Sequence, residues 1–65
     1  MAKLNTTPNL PDADAFYARL VAWHEGRSEA ESHRLNARLV LILANHVGDP
    51  EVLEEAMALA EASAP

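Results

Sequence analysis

Sixty-five residues make one small domain, and a domain of that size buries only about 60% of the surface its unfolded chain exposes. The absence of cysteine removes disulfides and thiolate metal sites, so self-association or a partner is the remaining reinforcement. The net charge of −5 sits entirely in residues 49–65, where Asp49, Glu51, Glu54, Glu55 and Glu61 stand without a base, which argues against binding nucleic acid.

Residues 1–10 carry no hydrophobic periodicity and read as an extended arm with Leu4 and Leu10 as its anchors. The arm lacks the apolar segment of a signal peptide. A single helical domain is expected over 11–62, with helices at about 12–25, 28–47 and 50–62. Pro11 and Asp12 begin the first helix, the acids Asp12 and Asp14 complementing its N-terminal dipole. Phe16, Leu20 and Trp23 recur at i, i+4 and i+7, widened by Tyr17 and Val21, and Gly26 ends the helix.

The second helix opens on Ser28, with Glu31 placed to complete a reciprocal capping box, and stops at Gly48. So short a connection makes the first two helices an antiparallel hairpin. At 100° per residue, Leu35, Leu39, Ile42 and His46 share one line along the second helix, and Asn36, Val40, Leu43 and Val47 share the next. Residues 39–44 are consecutively apolar, so Leu41 and Ala44 carry the apolar arc further round. Arg34, Arg38 and Asn45 form the one continuous polar stripe. In the third helix, capped by Asp49 with Pro50 in its first turn, Val52, Leu53, Ala56, Met57, Leu59 and Ala60 oppose Glu51, Glu54, Glu55 and Glu61. The tail from Ala62 is expected to fray.

The expected fold class is therefore all-α: a three-helix, up-down-up bundle, dimeric or docked on a partner. The middle helix is expected to be covered in large part by its neighbours. The remainder of its apolar surface then marks an interaction site, because exposing two or three Leu or Ile side chains forfeits roughly 1.5–3 kcal/mol each. Arg34, Leu35, Arg38, Leu39, Ile42, Asn45 and His46 are the candidate partner-binding residues. Asn45 and His46 either satisfy backbone groups near the Gly48 turn or set register across a helical interface, as a buried Asn does in coiled coils.

No catalytic constellation is legible. Ser28 is accounted for as a cap, and Ser32 and Ser63 have no evident base and orienting partner. His24, His33 and His46 lack ligand spacing; His33 and His46 lie about 20 Å apart along one helix, so no metal or other cofactor is expected within one chain. A site for a small molecule or metal at a dimer interface near Asn45 and His46 is the alternative function. The longest apolar run falls far short of the about 20 residues that span a bilayer, and a cytoplasmic location is expected.

The strings Phe16-Tyr17-Ala18-Arg19-Leu20, His24-Glu25-Gly26, Leu35-Asn36-Ala37-Arg38-Leu39 and Leu43-Ala44-Asn45-His46-Val47-Gly48-Asp49 resemble a family of short bacterial proteins of unknown function. The resemblance covers residues 10 to 60. Members of that family are often encoded beside flavin-dependent aromatic hydroxylases, so the resemblance implies an accessory or partner role near such an enzyme. It supplies no catalytic residues. The expected function is that of a small non-catalytic helical interaction or accessory protein, self-associating or binding a larger enzyme through its central helix.

Overall fold

Local capping chemistry sets each helix boundary in the computed structural model, which describes residues 3–63. Helix α1 spans Ala13–His24, α2 spans Glu29–Val47 and α3 spans Pro50–Ser63. The domain is all-α, as the periodicity predicts, and no strand occurs among the described residues.

Asp12 caps α1 from the left-handed region, at φ 49°, its carboxylate accepting from Ala15 N–H at 3.1 Å. Asp is among the few non-glycine residues that tolerate that conformation, and it places the helix start one residue later than expected. The capping box of α2 forms in full: Glu31 N–H donates to Ser28 Oγ at 3.1 Å, and Ser28 N–H donates to Glu31 Oε1 at 3.3 Å. Gly48 closes α2 at φ 70°, its N–H donating to Ala44 O at 2.9 Å. Asp49 Oδ1 then accepts from Glu51 N–H at 2.9 Å, which starts α3 one residue after α2 has been terminated. The expected fraying from Ala62 is not seen at Ser63, whose Oγ donates to Leu59 O at 2.8 Å and keeps it helical. Ala64 and Pro65 lie outside the described residues, as do Met1 and Ala2 of the arm.

The arm crosses to α3, where Leu4 N–H donates to Glu55 Oε2 at 3.0 Å, and Leu4 is half-buried. Leu10, the second expected anchor, is exposed and anchors nothing. The arm therefore holds at one end, by a backbone bond and one leucine.

Coverage of α2 differs most from expectation. No described residue is fully buried. Leu20 and Trp23 of α1, Leu35, Leu39 and Ala44 of α2, and Val52, Leu53 and Ala56 of α3 are the least exposed apolar residues of the three helices, and each is only half-buried. The two flanking helices touch α2 without enclosing it. The physical reason is size: each neighbour covers one side of a cylinder, and α3 contributes mainly alanine and small aliphatic groups there.

Candidate interaction surface and interhelical clasp

The second half of α2 carries four consecutive apolar side chains, each at least half exposed: Val40 at 62%, Leu41 at 70%, Ile42 at 65% and Leu43 at 50%. Four successive residues occupy one complete turn of a helix, so they point in four directions around it. Apolar surface is open to water on every side of α2 at this level, including the sides that face α1 and α3.

Two shallow grooves flank this turn. One lies between α1 and α2 and is lined by Phe16, Arg19, Leu20, Trp23, Leu39 and Leu43. The other lies between α2 and α3, with Val40, Leu41 and Ala44 facing Leu53, Met57 and Ala60. Trp23 is half-buried in the first groove, its ring edge-on to that of His24 at 5.3 Å.

The seven residues expected to bind a partner separate into two groups. Leu35 and Leu39 are half-buried, Leu39 lining the groove against α1. Arg34, Arg38, Ile42, Asn45 and His46 are exposed. Asn45 and His46 are thus solvent-facing side chains on the flank of the apolar turn. Leu41, which the sequence wheel places at the margin of the arc, is the most exposed large apolar residue of the described chain.

A second feature escaped the sequence reading. His24, the last residue of α1, lies between two side chains of α2: its Nδ1 is 2.8 Å from Ser32 Oγ and its Nε2 is 2.9 Å from Asn36 Oδ1. The amide oxygen can only accept, so Nε2 donates to Asn36 Oδ1, while the Ser32 hydroxyl, able to donate or accept, pairs with Nδ1. Ser32 therefore does have an imidazole and an orienting carboxamide in reach, contrary to expectation. The available signal was the i, i+4 spacing of Ser32 and Asn36 on one face of α2, directly after a short turn from His24. Arg27 reinforces the same end of α1, its Nε donating to Trp23 O at 2.8 Å.

Among the described residues, no three of His, Cys, Asp and Glu gather closely enough to hold a metal ion. No described helix is long and apolar enough to cross a membrane.

Three short helices, tied by polar clasps and caps and leaving a full apolar turn uncovered, define a small all-α protein. Residues 4–62 match the family described as Protein of unknown function (DUF2783), and the chain belongs to that family. The match contains the residues that carry the resemblance noted above. No curated protein and no solved structure matches the chain significantly.

Proposed function

We propose that this chain is a non-catalytic helical interaction protein that works by associating through α2. The observation that carries the proposal is the open turn from Val40 to Leu43, whose four side chains are exposed on all sides of the helix. Contiguous apolar surface of this kind is retained where a partner covers it. The polar stripe of Arg34, Arg38 and Asn45, with His46 beside Ile42, gives that surface an orientation-dependent rim, since arginine is enriched at interface anchor points. The Ser32–His24–Asn36 trio is accounted for as the polar tie between α1 and α2, because both ring nitrogens are engaged in interhelical bonds.

Two kinds of occupant satisfy this proposal: another copy of the chain, or a larger protein such as the flavin-dependent hydroxylase that the resemblance implies. The test is recovery of tagged wild-type chain and its Ile42→Lys variant from the native host. A stoichiometric species, self or foreign, held by the wild type and released by the variant is the expected result. A wild-type chain recovered as a folded monomer with nothing attached would overturn the proposal.

A further inference from the structure

We propose that the occupant of the open turn is a second copy of this chain, with its α2 crossing the first antiparallel about Leu41 and Ile42. This rests on the interaction role proposed above and specifies its partner and geometry. Three observations carry it.

The first is area. A folded chain of 7.1 kDa is expected to expose about 4,100 Å², whereas this one exposes 5711 Å². The excess of about 1,600 Å² per chain exceeds the roughly 800 Å² that each partner contributes to a standard interface, and two copies would supply an interface in the obligate range. The arm accounts for part of that excess. Yet among the described residues, of the large apolar side chains left exposed, Leu10 alone belongs to the arm, and the others, from Phe16 to Leu59, stand on the helices. The radius of gyration of 13.4 Å is likewise larger than the about 11 Å of a compact chain this long.

The second is shape. An apolar turn open on all sides cannot be covered by one docking helix, which would occupy one side. A second copy brings three helices and two further grooves of the same apolar character, and a two-fold axis closes the assembly on itself.

The third is charge. Residues 1–48 are balanced, with Arg34 and Arg38 exposed in the first half of α2, and all the uncompensated acid lies at and beyond Asp49. At 100° per residue, Leu41, Arg34, Asn45, Arg38 and Ile42 fall within one arc of about 100°, opposite the Asn36 side that faces α1. A parallel pair would set Arg34 against Arg34 and one acidic α3 against the other. An antiparallel pair centred between Leu41 and Ile42 displaces Arg34 about 11 Å from the axis, which brings it to the second copy's Asp49–Glu51 turn. Opposite charges then meet, and like charges separate.

The test is sedimentation of the full chain over a concentration series, with helicity followed on the same samples. A helical species of twice 7.1 kDa is expected, weakening on dilution. Because the chain has no cysteine, single-cysteine variants report geometry without interference. Ile42→Cys is expected to form a disulfide-linked dimer and Arg34→Cys is not. The pair Arg34→Glu and Arg38→Glu should raise the dissociation constant at least about tenfold at low salt, and adding Glu51→Arg with Glu54→Arg should restore it. Ready cross-linking through Arg34→Cys would overturn the antiparallel arrangement. A chain that folds only when a larger host protein is added would overturn the second copy while leaving the interaction role standing. A folded monomer at every concentration would overturn the second copy and leave the interaction role to the recovery experiment from the native host.

Discussion

His24 Nε2 lies 2.9 Å from Asn36 Oδ1, and that bond joins the last residue of α1 to the second turn of α2. With Ser32 on the opposite ring nitrogen, the imidazole is gripped at both ends. The arrangement demands a proton on Nε2, because Asn36 Oδ1 has no hydrogen to give. Nitrogen-15 spectra of the His24 ring should show a proton on Nε2; a ring protonated only at Nδ1 would contradict the geometry.

Removing one member of the clasp loosens α1 from α2. Asn36→Ala should cost about 1 kcal/mol, the typical net worth of one such hydrogen bond, with Ser32→Ala costing no more. Denaturant unfolding followed by circular dichroism measures both. Amide exchange should quicken first in α1, which has few other ties to the rest of the chain.

The trio also makes a chemical prediction. If its task is to tether α1, the chain should hydrolyse activated aryl esters no faster than an equal concentration of free imidazole. Ser32→Ala should leave that rate unchanged. A burst of product equal to the chain concentration, abolished by Ser32→Ala, would make Ser32 a nucleophile and defeat the non-catalytic proposal.

Helix α2 depends on its two ends. Ser28→Ala removes the acceptor for Glu31 N–H and should cost about 1 kcal/mol. Gly48→Ala should cost about 1 kcal/mol or more, because φ 70° penalises any Cβ although there is room for one beside the backbone. Thermal melts of the two variants would show it; an unchanged midpoint for Gly48→Ala would mean the turn had relaxed to another conformation.

Leu41→Lys and Ile42→Lys separate an isolated chain from an associating one. On a lone chain, changes at side chains this exposed should shift stability by no more than about 0.5 kcal/mol. If the turn is covered in an assembly, each should cost roughly 1.5–3 kcal/mol, the worth of burying a Leu or Ile. The wild-type melting point should then rise with protein concentration and the variants' should not.

Helix boundaries were legible in the residues to within one position, because caps act over three or four residues of chain. Ser28 with Glu31, Gly48, and Asp49 before Pro50 each carry their own instructions. The apolar excess of α2 was equally legible, since it follows from residues 39–44 being apolar without interruption. The assignment of that excess to a face was less so. The wheel favours the line of Leu35, Leu39, Ile42 and His46, but its first two members are half-buried while Leu41 protrudes. Which side of a helix a neighbour takes depends on the crossing of α1 and α2, and no local pattern encodes a crossing.

By itself, then, the sequence determined three helices, their stops, and an apolar surface larger than the chain needs, all from interactions between residues close along the chain. Tertiary structure alone decided that His24 would stand between Ser32 and Asn36, that Leu10 would hang free while Leu4 reached Glu55, and that a whole turn of α2 would stay open. Those outcomes depend on how rigid helices pack against one another, and two short helices cannot enclose a third.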